Sequence, residues 1–140
     1  MSPSAGVSAV LVTSSFPPGR GGIESYLSEL CAAVAPRLAV VAPGRREGRR
    51  LPTDLPYPVH AGPGRMLIPG SRVVNTIVRT TRRYGTERIV FGTPWPLLLA
   101  APALAKRGLR YAVIVHGAEL ILPGAVPVLR TRLAHALARA

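Results

Sequence analysis

The sequence predicts a doubly wound parallel α/β sheet. Short β-branched apolar runs recur along the chain, amphipathic segments with helical spacing separate them, and Pro/Gly-rich turns punctuate both. Strands joined through helices cross over right-handedly, so about five parallel strands are expected between two helical layers, in the order 3-2-1-4-5. The 140 residues amount to one ordinary domain, residues 1–140.

Val7 to Thr13 (VSAVLVT) reads as a strand covered on both faces, because it is apolar throughout rather than alternating. It runs into a Pro/Gly-rich loop, Ser14 to Gly22. A helix follows, since Ile23, Tyr26, Leu27, Leu30, Cys31 and Val34 recur on one face, and Pro36 stops it. Leu38 to Ala42 is a second strand. Gly44 to Pro58, with Arg45, Arg46, Arg49 and Arg50, reads as a mobile, solvated loop. Tyr57 to Ala61 is a short third strand. Ser71 has the chemistry of an N-cap for a helix through Tyr84. Arg88 to Gly92 is the fourth strand, Pro96 to Arg107 a helix, and Arg110 to Val115 a fifth, buried strand. Val126 to Ala140 is helical, with Leu129, Leu133 and Leu137 on one stripe.

Composition narrows the function classes. With 48% hydrophobic and 17% charged residues, the chain can bury a core and is not a disordered basic tail. The longest apolar stretch, Pro96 to Ala105, is interrupted by Pro102 and falls short of the ~20 residues of a spanning helix. The first residues lack a secretory pattern, and the single Cys31 excludes an internal disulfide and fits a reducing cytosol. The net charge of +12 favours an anionic partner. Aromatics make up only 5%, too few for a base-stacking platform, so no nucleic acid is expected. No His/Cys/carboxylate spacing suits a metal. Cys31 belongs to the core, and His60 and His135 are structural or exposed.

Ligands of such sheets bind beyond the carboxyl ends of the strands, near the reversal of strand order. Two motifs lie there. FPPGRGGIES, Phe16 to Ser25, carries the strand into a helix; Gly21 and Gly22 let a ligand approach the backbone, and the positive helix end suits a phosphate. It is neither G-x-G-x-x-G nor a Walker loop, which argues against a dinucleotide-dependent oxidoreductase or an ATP site. A tight structural turn is the bland alternative. VIVHGAEL, Val113 to Leu120, brings His116 out of the last strand, followed by Gly117 and Glu119. An imidazole there can donate to a ligand oxygen near neutral pH; a structural histidine is the alternative. In the helix from Ser71, Arg72, Arg79 and Arg83 fall in one sector with Arg82 beside it, opposite Val73, Val74, Ile77 and Val78. That cationic face is either an ordinary solvated surface or a contact for anionic lipid, with Met66, Leu67 and Ile68 as a shallow apolar wedge.

The segments Val12 to Leu27 (VTSSFPPGRGGIESYL), Ile89 to Leu97 (IVFGTPWPL) and Val113 to Leu120 resemble the N-terminal, Rossmann-like domain of GT-B retaining glycosyltransferases of family four. The similarity is strongest to the phosphatidylinositol mannoside mannosyltransferases of actinobacteria. It extends over essentially the whole chain except the stretch from Arg45 to Tyr57. The resemblance implies that Gly21 and Gly22 abut the donor diphosphate, that His116 contacts the transferred sugar, and that Glu119 belongs to the substrate site. It implies a nucleotide-sugar donor, GDP-mannose, a lipid-linked or polyol acceptor, no metal and no separate cofactor. Transfer in this family runs by front-side displacement, the departing diphosphate assisting deprotonation of the acceptor. Arg72, Arg79, Arg82 and Arg83 match in kind a helix that docks some members on anionic membranes, which places the protein in the cytoplasm at the inner face of the plasma membrane. The family's second, nucleotide-sugar-binding domain is absent from the sequence, so this acceptor-binding domain is expected to be inactive alone. A non-catalytic module binding anionic lipid or nucleic acid is the alternative.

Overall fold

Five strands form one parallel sheet in the order β5-β2-β1-β6-β7, where β1 is Ala9–Val12, β2 Leu38–Pro43, β5 Val59–Gly62, β6 Arg88–Phe91 and β7 Arg110–Val113. This is the expected 3-2-1-4-5 order. The computed structural model describes residues 6–46, 48–116 and 127–140. β1 is central: Val10 pairs with both Ala39 and Ile89, and Val12 with both Val41 and Phe91. The fold is a Rossmann-like α/β domain.

Burial on both faces explains why the inner strands are apolar at every position. Val10, Val12, Ala39, Val41, Ile89 and Phe91 face one side, under α2 (Ser71–Tyr84), a 3₁₀ turn (Leu97–Ala100), α3 (Ala101–Ala105) and α4 (Pro127–Ala138). Leu11, Val40 and Ala42 face the other, under α1 (Gly22–Val34). α1 buries Leu27 and Cys31 completely, as its spacing predicts. Burial disfavours the Cys31 thiolate and pushes the thiol up to about 12, which suits packing and not nucleophilic chemistry. Tyr26, expected on the apolar face of α1, is instead 49% exposed.

Several boundaries differ from the sequence expectation for identifiable reasons. Gly70, not Ser71, is the N-cap of α2, and no side chain caps that end; Ser71 is the first helical residue. The helix ends at Gly85 in the left-handed conformation (φ 65°), with Thr86 N–H donating to Thr81 O. The helix expected over Pro96 to Arg107 splits into the 3₁₀ turn and α3, because Pro102 has no N–H and its ring crowds the preceding turn. β7 lies at an edge and is only half-buried, so the fifth strand is not the buried one expected. The arginine-rich stretch, expected as a mobile loop, forms a hairpin: β3 (Arg45–Arg46) pairs antiparallel with β4 (Arg49–Arg50), and Gly48 turns at φ 73°. Arg45, Arg49 and Arg50 are exposed. In the C-terminal helix, Ala136 is buried and Leu137 packs against the core, while the Leu129 and Leu133 side chains lie outside the described ones.

His60 and Tyr84 tie edge strand β5 to the end of α2: Nε2 and the hydroxyl share a hydrogen bond of 2.6 Å. His135 is exposed. Desolvation, with the Arg83 guanidinium second, lowers the His60 pKa below its ordinary 6.5. Between that lowered value and 6.5 the unfolded chain takes up the proton and the native one does not. This contribution to stability is therefore present above pH 6.5 and is lost as pH falls through the folded-state value. The urea midpoint should fall between pH 7 and pH 5, and His60→Gln should flatten that part of the profile.

Candidate functional site

The turn after β1 is built to present the start of α1. Thr13, fully buried, accepts the Ser15 N–H at its Oγ1 (3.0 Å), and Ser14 Oγ accepts the Leu67 N–H at 2.9 Å. Phe16 is buried edge-on against Tyr57, with ring centroids 6.3 Å apart, and its carbonyl accepts the Gly19 N–H. These contacts hold both sides of the turn and leave Arg20, Gly21 and Gly22 exposed at its tip.

The two glycines have different physical reasons. Gly21 is the N-cap of α1 in an extended conformation open to any residue (φ 168°), so its backbone geometry does not require glycine. A Cβ at Gly21 would lie 2.6 Å from Oε2 of Glu24, whose buried carboxylate is folded back over the cap. Glu24 is the third helical residue, where an acid turned toward the cap complements the positive helix end. At Gly22 a Cβ would meet nothing within 4 Å. The approach to the backbone that the sequence predicts for the pair is therefore open at Gly22, while Gly21 accommodates Glu24.

The imidazole arrives from the other side of the sheet. His116 follows β7, and its Nε2–H donates to the carbonyl of Gly92 at 2.9 Å. The ring stands edge-to-face on Tyr26 of α1, with centroids 5.5 Å apart and planes at 86°. His116 is thus turned toward the helix that the glycine turn opens, one helical turn beyond Gly22. The bond to Gly92 also sets the tautomer. A neutral ring carries its lone pair at Nδ1, and only an imidazolium donates from both nitrogens. Glu119 lies outside the described residues.

Gly92 directly follows β6, which lies between β1 and β7, and holds this arrangement together. Its N–H donates to Val12 O, and a Cβ on it would come 2.8 Å from Thr13 Cβ and 2.9 Å from Leu27 Cδ1. The sequence pattern gives no site role to Gly92, Thr13 or Glu24, and it puts Tyr26 on the apolar face of α1. The signals available were the Gly at a strand end, which marks close backbone approach, and the acid three residues after the cap glycine.

The basic helix is as amphipathic as its spacing predicts. Arg72, Arg79, Arg82 and Arg83 are all exposed, while Val73, Val74, Ile77 and Val78 are buried. Met66 (53% exposed) and Ile68 (63%) stand out before it and line a groove with Gly70 and Arg72; Leu67 is buried and takes no part in a wedge. Among the described residues no helix is long and apolar enough to cross a membrane, and no three His, Cys, Asp or Glu side chains gather.

A parallel doubly wound sheet with a glycine turn at a helix start and an imidazole at the same carboxyl edge defines a Rossmann-like α/β domain. Over most of its length the chain is related in sequence to GDP-mannose-dependent mannosyltransferases. It is 33% identical over 130 residues to the α-(1-6)-phosphatidylinositol monomannoside mannosyltransferase of Mycolicibacterium smegmatis, with 89% of the chain and 34% of that protein covered. It is 35% identical over 133 residues to the Mycobacterium tuberculosis protein of the same description, with 86% and 34% covered. A monoacylated-substrate mannosyltransferase of Corynebacterium glutamicum matches at 29% over 134 residues, with 91% and 35% covered. The chain therefore spans about a third of the length of these curated relatives. No protein-family model matches it. The resemblance read from the three sequence segments is borne out.

Substitution at the glycines separates their roles. Gly92→Ala should lower stability by about 1–3 kcal/mol in urea denaturation, because Thr13 and Leu27 must shift. Gly22→Ala should leave stability unchanged or raise it by about 0.5–1 kcal/mol, since the site is open and helical.

Proposed function

We propose that this chain is the acceptor-binding half of a retaining GT-B glycosyltransferase, which in its complete form moves mannose from GDP-mannose onto a lipid-linked acceptor. The observation that carries the reading is the meeting of the His116 ring with Tyr26 of α1, the helix whose first turn holds Gly21 and Gly22. The activities of the relatives supply the donor and the acceptor class.

In this reading the donor diphosphate lies at Gly22, against the N–H groups and positive end of α1. The Glu24 carboxylate already covers Gly21, so the phosphates approach on the other side of the cap. His116, held by Gly92, faces the sugar, where charge develops as the bond to the diphosphate breaks. Dipoles fixed in advance stabilise such charge without reorganising, and the N–H groups at the start of α1 meet the negative charge on the departing diphosphate. A second domain carries the nucleotide, so the isolated chain does not turn over, and the reaction needs no metal or separate cofactor. The exposed arginines of α2 rest on anionic lipid at the cytoplasmic face of the membrane, each contributing about 1 kcal/mol near the surface.

In the complete two-domain enzyme, His116→Ala should lower kcat by about 10²-fold or more while the thermal transition stays in place. Wild-type turnover would remove the assignment. Gly22→Val in the same enzyme should raise the KM for the nucleotide sugar with an unchanged fold. Replacing Arg72, Arg79, Arg82 and Arg83 by Gln should abolish co-sedimentation with anionic vesicles at ~0.15 M salt; unchanged sedimentation would assign the helix to ordinary solvated surface.

A further inference from the structure

The arginine hairpin has no part in the reading above, yet it borders a groove of about 750 Å³. The groove lies along the α1 side of edge strand β5. Arg45 and Arg50 line it at one end, with Leu51, Leu55 and Val59 along it and Pro36 beyond. Arg45 follows the carboxyl end of β2 and Pro36 precedes its amino end, so the groove runs the length of that strand, roughly 20 Å for six residues. It has a cationic mouth and an apolar floor.

The hairpin register brings two guanidinium groups to the mouth. Arg45 is the cross-strand partner of Arg50, so the two side chains leave the same face of the hairpin and both reach the groove. Like charges directly opposite each other repel, and the next pair, Arg46 and Arg49, repeats the sign. Among the described residues no carboxylate forms a salt bridge with Arg45, Arg49 or Arg50, and even with Glu47 counted the stretch from 45 to 50 is strongly cationic. An anionic head between Arg45 and Arg50 would turn that repulsion into charge-assisted hydrogen bonds.

We propose that this groove binds a monomeric anionic amphiphile, a phosphate or carboxylate head on a single acyl chain, with the head between Arg45 and Arg50 and the chain over Leu51, Leu55 and Val59. An acidic peptide added as a sixth strand fits less well. β5 has only four residues and is flanked by Pro56, Pro58 and Pro63, features that protect sheet edges from strand addition. The groove is a separate surface from the exposed α2 arginines, and the inference does not depend on the glycosyl-transfer reading.

Dodecyl phosphate below its micellar concentration is the probe, followed by calorimetry on the 140-residue chain. Saturable one-to-one binding is expected. Dodecanol and inorganic phosphate should each bind at least about tenfold more weakly, because each offers half of the complementarity. Arg45→Gln with Arg50→Gln should weaken binding by about tenfold or more, and both residues are exposed, so the fold should survive. Thr53→Trp, at an exposed position lining the groove, should block binding without altering charge. Undiminished affinity in either variant would overturn the proposal. So would binding of an acyl-free acidic peptide as tight as that of dodecyl phosphate, or binding confined to anionic vesicles.

Discussion

The close approach at Gly92 is the constraint on which the candidate site depends. Three pieces of chain meet there without room for a methyl group: the end of β1 at Thr13, the inner face of α1 at Leu27, and β6 itself. The carbonyl of the same residue then accepts the His116 N–H, so the packing that closes the core also aims the imidazole. A hydrogen bond from a part-buried ring to a main-chain carbonyl fixes orientation only if that carbonyl cannot move. Here its peptide neighbour is held as well, because the Gly92 N–H is bonded to Val12 O and the space where a Cβ would stand is filled by Thr13 and Leu27. Rigid core packing and a site at the sheet edge are one feature seen from two sides.

The glycine turn shows a comparable division of labour. Gly21 and Gly22 are adjacent and identical in sequence, yet one makes room for an acidic side chain of the chain itself and the other leaves the backbone open. Glu24 supplies negative charge at the positive end of α1, so the helix start is complemented from within. Tyr26 completes the arrangement. A half-exposed aromatic on the outer surface of α1 has little reason to be there for packing, and its edge-to-face contact with His116 supplies one.

The positive charge is also divided by the fold. The arginines of α2 line the outer surface of a helix whose inner surface is core, an exposed, convex presentation. Arg45 and Arg50 of the β3–β4 hairpin line a groove with an apolar floor, a concave one. A convex cationic face suits a broad anionic surface, and a concave one suits a discrete ligand. The net charge of +12 treats the two as equivalent.

The sequence by itself determined the sheet, its strand order and the amphipathic character of α1 and α2. Apolar runs covered on both faces and helical spacing are local patterns, and right-handed crossovers leave few ways to assemble them. It also marked the glycine turn and His116, since strand ends carry the ligands of such sheets. What only the tertiary structure decided are the relations between residues distant in the chain: the bond from His116 to Gly92, its contact with Tyr26, and the pairing of His60 with Tyr84. The arginine hairpin belongs with these, because four like charges in a Gly/Pro-rich stretch read locally as solvated loop, and only the cross-strand register put Arg45 beside Arg50 over a groove. Local patterning fixes which element a residue joins; which partner it meets depends on how the strands align, and no short-range signal encodes that.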